Sequence, residues 1–128
     1  MTGQDLADAA VDFGILAGAG VPVRSFKAGE TIFNEGDPAS ELFVVKHGRV
    51  DIRLGSRAIE TVPENGIFGE MALIDQAPRS ATAIAGTDVD LVSVGEKQFL
   101  FLVGQTPFFA LKVMRLLARR LRQTSKAL

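Results

Sequence analysis

Between Val23 and Gly95 the chain runs as short β-branched or aromatic stretches, each closed by a turn residue: "VRSF", "ETIFNEGD", "ELFVVKHG", "VDIRLGS", "AIETVPENG", "SATAIAG" and "VDLVSVG". Turn signals spaced roughly 8 to 12 residues apart describe strands of a sandwich or barrel. The pattern predicts a mainly β middle of about eight strands, with few alternatives open to it.

The flanks follow a different period. Leu6, Ala9, Ala10, Phe13 and Leu16 recur at three- and four-residue steps, which predicts a short amphipathic helix within residues 1–22. Past Gly95, "EKQFLFLVGQ" predicts a short helix and "TPFFALKVMRLLARRLRQTS" a longer one, with Thr106 placed to cap it and Pro107 at its first position. At 128 residues this is one domain, large enough to bury a core without staples. It divides into an N-terminal helical segment (1–22), the β section (23–95) and two C-terminal helices (96–128). No repeat or low-complexity tract interrupts it.

Composition narrows the function classes. The formal net charge of -1 and 47% hydrophobic content fit a soluble globular protein and advertise neither nucleic acid nor an anionic membrane as a partner. Charge nevertheless segregates: from Ala110 onward stand Lys112, Arg115, Arg119, Arg120, Arg122 and Lys126 with no acid. The plain reading of that helix is a solvated basic face, with Leu111, Met114, Leu117, Ala118 and Leu121 as its apolar stripe.

There is no cysteine, hence no disulfide, thiol catalysis or thiolate metal site. The N-terminus is acidic where a secretory signal would be basic, and no stretch approaches the ~20 apolar residues of a membrane span. A cytoplasmic protein is expected. His47 is the sole histidine and sits in a turn signal, "KHGR", so no histidine metal set can form. Ser80 has no evident base to activate it, so no catalytic residues are expected and the chain is not read as an enzyme.

The chemistry concentrates in "FGEMALIDQAPRSATA", residues 68–83. "GEMALI" is the one briefly helical stretch of the β section, and a turn there would point free backbone N–H groups outward. Gly69 would allow a ligand close to the backbone. Arg79 offers a fork of donors matched to phosphate oxygens, with the Ser80 hydroxyl beside it. Glu70 would repel a phosphate but accepts hydrogen bonds well. Together these imply a ligand carrying a sugar hydroxyl next to a singly charged phosphate, the edge of a nucleotide.

This stretch resembles the phosphate-binding cassette of cyclic nucleotide-binding domains, Phe-Gly-Glu followed by mostly apolar residues and Arg-Ser/Thr/Ala-Ala. Phe68, Gly69, Glu70, Ala72, Leu73, Arg79, Ser80 and Ala81 fall on it. Gly29, Gly36 and Gly48 sit at the family's turns. The resemblance implies an eight-stranded, jelly-roll-like β-roll with an N-terminal helix, two C-terminal helices and a cassette over residues 68–82. It implies that Glu70 and the Gly69 backbone hold a ribose 2'-hydroxyl, that Arg79 and Ser80 grip a cyclic phosphate, and that the turn from Met71 through Ala72 to Leu73 adds its amides. The base would lie against Ile52 and Ile59, strand positions that are core in any sandwich.

The C-terminal helix is similar to that of catabolite activator-type regulators, where it covers the nucleotide. By that likeness Arg120 would approach Glu70, and Thr124 and Ser125 would meet the base. The chain ends where those regulators continue into a DNA-binding domain, so no direct nucleic-acid binding is expected; any effector is expected on another chain, and a homodimer through the C-terminal helix is a further expectation. The implied function is a stand-alone sensor of cyclic AMP, with cyclic GMP second and no metal. The alternative is a domain that has lost its ligand, in which Glu70 and Arg79 form a structural ion pair and the basic helix serves as an adaptor for an acidic protein or lipid headgroups.

Overall fold

Among the described residues eight strands follow one another: β1 (Val23–Phe26), β2 (Thr31–Phe33), β3 (Glu41–His47), β4 (Val50–Leu54), β5 (Arg57–Val62), β6 (Ile67–Phe68), β7 (Thr82–Ala85) and β8 (Val89–Gly95). A single helical turn, α1 (Met71–Ile74), separates β6 from β7, and α2 (Glu96–Gln105) and α3 (Pro107–Ala127) follow β8. The computed structural model describes residues 20–127, and for residues 124–127 the backbone alone. Most of the helix expected over residues 1–22 therefore lies outside the described residues, while residues 20–22 are turn and irregular chain.

The strands form two four-stranded antiparallel sheets, ordered β1-β8-β3-β6 and β2-β7-β4-β5. Side chains alternate between faces along a strand, and β3 shows why both faces of the first sheet are apolar. Phe43 and Val45 point between the sheets, where they join Val50, Ile52, Phe68, Ala83 and Leu91. Leu42 and Val44 point the other way, into a second cluster with Val92, Val94 and Ile67 that the helices cover. Aromatic rings anchor the inter-sheet core: Phe43 and Phe68 stack with centroids 5.3 Å apart, and Phe33 lies 6.0 Å from Phe68. Each such ring stabilises the fold by about 1.5–3 kcal/mol through burial.

The second sheet is uneven. β4 pairs with β7 on one side and β5 on the other, with a register shift between Ile52 and Arg53. Beyond it the β4–β5 hairpin leaves the core, and most of β5 is exposed.

At the helical end, Leu102 of α2 and Phe109 and Val113 of α3 are buried on the first sheet's outer face. Farther along α3 the packing thins, and Leu121 is 68% exposed. Thr106 is the joint. Its extended backbone (φ -143, ψ 91) closes α2 through its N–H to the Leu102 carbonyl at 2.8 Å. Its carbonyl accepts the Phe109 N–H at 2.9 Å, as the residue before a helix does. The two helices meet at 117°. Among the described residues no single helix is long and apolar enough to cross a membrane.

Candidate ligand-binding site

β6 delivers the chain to Gly69, whose φ of +74 lies in the left-handed region. Glycine suits that conformation, and a Cβ at this position would stand 2.6 Å from Nη1 of Arg79, so any side chain here would have to displace the guanidinium. Glu70 follows in helical conformation (φ -66, ψ -23) and leads into α1. Ala72 is buried and Leu73 packs on the helix-side core, which fixes the turn, while Met71 and Ile74 face outward.

The expectation that the amides of Met71, Ala72 and Leu73 are all on offer needs correction. The Ala72 N–H already donates to Gly69 O (3.3 Å) and the Leu73 N–H to Glu70 O (3.1 Å). A four-residue helix also adds little macrodipole, since that effect grows by alignment of many peptides.

Arg79 is held from the opposite side. Its N–H donates to Asp37 O at 2.9 Å and its carbonyl accepts the Gly36 N–H at 2.8 Å, tying it to the loop before β3. The guanidinium then reaches inward: Nη1 donates to Gly69 O (3.1 Å), Nη2 donates to Glu41 O (2.9 Å), and its plane lies 4.1 Å from the Phe33 ring centroid. It is only 8% exposed. Burial pushes its pKa down, partly offset by the charges of Glu41 and Asp37. No carboxylate among the described residues forms an ion pair with it, and its Nε has no hydrogen-bond partner. Arginine stays protonated in proteins, so this is a desolvated cation braced by neutral groups.

Glu70 is buried to 1% exposure and is paired differently. Oε1 accepts from Nη1 of Arg120, and Nη2 of the same guanidinium donates to Oε2 of Glu60 at 2.8 Å. Glu70 Oε2 has no partner. Arg120 thus joins α3, β5 and the turn before α1. The ion pair of Glu70 with Arg79, expected of a domain without a ligand, is not formed.

Between these groups lies a cavity of about 700 Å³. Gly69, Glu70, Arg79 and Ser80 line one side, with Phe33 and Phe68 behind them. Ile52 and Ile59 line another, and α3 supplies Leu117, Arg120, Leu121 and Gln123. The volume suits a small organic ligand. Ala81 lines the cavity from the buried end of the core, whereas Ser80 is exposed. The two isoleucines are not alike, which corrects their common reading as core positions. Ile52 belongs to the core at 8% exposure, while Ile59, on the departing hairpin, is 51% exposed. Thr124 and Ser125 fall one turn beyond Arg120 on α3, and their side chains lie outside what is described.

Sequence reasoning missed Phe33, Glu41 and Glu60. Glu60 carried a weak signal, a lone acid in the apolar run "AIETV". Glu41 acts on Arg79 through its backbone, which no side-chain pattern reveals.

Residues 23–106 match the cyclic nucleotide-binding domain. The chain belongs to that family. It is 35% identical over 105 residues to the cyclic AMP receptor protein of Thermus thermophilus, an alignment covering 78% of this chain and 49% of that protein. The solved Thermus thermophilus catabolite activator protein superposes with a TM-score of 0.77 at 30% identity, covering 99% of this chain and 58% of that one. A solved protein from a cyclic-GMP-dependent signalling pathway that regulates bacterial phytopathogenesis superposes at 0.72 with 27% identity, covering 95% of both chains. The chain spans about half the length of the curated bacterial receptor it matches. The matched residues include the stretch from Phe68 to Thr82, and the cavity opens over part of it.

Proposed function

We propose that this domain is a non-catalytic sensor that binds cyclic AMP, with cyclic GMP second, and signals by movement of α3. The observation that carries the reading is Arg79: a buried guanidinium with an unpartnered Nε and no carboxylate in ion-pair contact, on the wall of a cavity of about 700 Å³. Desolvating a cation without a contacting counter-charge costs several kcal/mol, and a phosphate monoanion in the cavity offsets that cost. Arg79 and Ser80 take the cyclic phosphate. Glu70, which lines the cavity, accepts the ribose 2'-hydroxyl beside the Gly69 backbone. The base lies toward Ile52 and Ile59, under Arg120, Thr124 and Ser125 of α3.

A singly charged phosphate fits better than a terminal, doubly charged one, because Glu70 repels the second charge. An effector on another chain reads the position of α3, in a cytoplasmic setting consistent with a chain free of cysteine. Thermal unfolding with and without each nucleotide tests the reading, since ligand at ~100 times its dissociation constant adds ~2.7 kcal/mol. Stabilisation by cyclic AMP exceeding that by cyclic GMP is expected. No shift with either at millimolar concentration overturns the sensor in favour of an adaptor.

A further inference from the structure

β8 runs Val89, Leu91, Ser93 along its core-facing side, so a serine stands where the alternation calls for a third apolar residue. It is 4% exposed. Its hydroxyl donates to Oε2 of Glu41, the first residue of β3, and Nη1 of Arg24 donates to Oε1 of the same carboxylate at 3.4 Å. Pairing of β1 with β8 and of β8 with β3 sets Arg24 opposite Leu91 and Ser93 opposite Phe43, so the three polar groups occupy neighbouring places on one face of three strands. Diagonal neighbours on one face are within reach of long side chains. The cluster grips the one residue whose carbonyl receives Nη2 of Arg79.

We propose that Glu41, clamped by Ser93 and Arg24, is a positioning residue for Arg79. The clamp fixes the Glu41 main chain at the sheet's end, and that carbonyl, with Gly69 O and the Phe33 ring, sets the guanidinium's direction into the cavity. Without the clamp Arg79 keeps its charge and loses its aim. The same cluster places an acid near the guanidinium, which counters the loss of basicity caused by burial. The proposal rests on the cyclic-phosphate reading for what Arg79 contacts, and not for how Arg79 is held.

Two variants break the clamp, Ser93→Ala and Glu41→Gln, and Ser93→Thr restores the hydroxyl. Affinity for cyclic AMP should fall about tenfold in the first two, the lower end of what orienting partners contribute. The ratio of affinities for the two phosphorothioate diastereomers of cyclic AMP, which differ only in which exocyclic oxygen is replaced, should shrink by about threefold or more. Ser93→Thr should keep both values. In the nucleotide-free protein, NMR signals of the Arg79 guanidinium should show faster rotation and proton exchange in Ser93→Ala and Glu41→Gln than in the parent. An unchanged diastereomer ratio together with unchanged guanidinium signals in the folded variants overturns the proposal. Should the parent bind neither nucleotide, the cavity reading falls, and the guanidinium signals alone decide how Arg79 is held.

Discussion

The two buried charges of the cavity are held by different kinds of structure. Arg79 is fixed by main-chain carbonyls and an aromatic ring of the β-roll, all from elements packed in the core. Glu70, one turn of chain from the same site, is paired by a side chain from α3, where packing has already thinned. One end is built in; the other depends on α3 staying in place. A dense core does not deform gradually, whereas a loosely packed element opens at low free energy. The proposed sensor draws on this contrast, with anchoring in the roll and response in α3.

Removing the built-in end should have the largest effect. Arg79→Ala should weaken cyclic AMP binding by about 30- to several-thousand-fold, the loss of roughly 2 to 5 kcal/mol that follows removal of one desolvated charge partner. The domain should still fold, since its core does not rest on this residue. Calorimetry on the folded variant checks it; binding within about threefold of the parent would move the phosphate elsewhere.

Removing the dependent end should cost less. Deletion after Ala118 takes away Arg120, and binding should weaken by about 5- to 150-fold, the range of an ordinary coupling energy. In the intact chain, cyclic AMP should slow amide exchange across residues 110–125. Equal binding by the truncated protein, with protection confined to residues 68–82, would leave α3 without a role in the response.

A finer cut separates the two ends within the ligand. Glu70→Gln should bind cyclic AMP moderately less well and should lose the preference for cyclic AMP over its 2'-deoxy analogue, about tenfold in the parent as for one hydrogen bond to a charged acceptor. Competition measurements compare the two ligands. Undiminished discrimination in the variant would release Glu70 from the ribose.

The smallest effect marks where α3 changes from fixed to free. Lys112, beside the buried Val113, donates to Asn65 O at 3.4 Å, and burial pushes its pKa down to about 8. The folded chain then holds this proton less tightly than the unfolded chain does. Between about pH 8 and 10.5 the unfolded state binds more protons, so stability should rise with pH across that window. The sequence has no tyrosine or cysteine to titrate in the same range. Chemical denaturation at the two ends of the window should show the rise in the parent and a flatter response in Lys112→Met. Identical slopes would mean that this half of α3 is not docked.

What was legible in the sequence follows the same division. Strand runs and turn residues from Val23 to Gly95 carried the two sheets, because period-two alternation and tight turns are local signals. Both C-terminal helices were readable from their apolar residues and from Pro107, but the packing stripe of α3 was misplaced, since Leu111, Met114 and Leu121 are exposed while Phe109 and Val113 are buried. The polar wall of the cavity was readable because Glu70 and Arg79 are polar residues in an apolar neighbourhood. Their partners were harder. Arg120 came from resemblance, since nothing local separates it from the other cations of α3. Glu60 and Glu41 escaped because one is reached through a neighbouring helix and the other works through its carbonyl. Ile59 was misjudged because the shift after Ile52 turns the hairpin out of the core, and a register shift leaves no trace in composition.

Val113 is the last buried residue of α3 among those described, and Arg120 stands seven residues beyond it. At ~1.5 Å per residue that span is about 10 Å, so a lean of ~10° beyond Val113 would carry the guanidinium about 1.8 Å, enough to break a hydrogen bond. The contact among Arg120, Glu70 and Glu60 would accordingly be made or lost over a small swing. A helix sealed to the sheet along its first turns and bound at its far end by one side chain has the build of a latch.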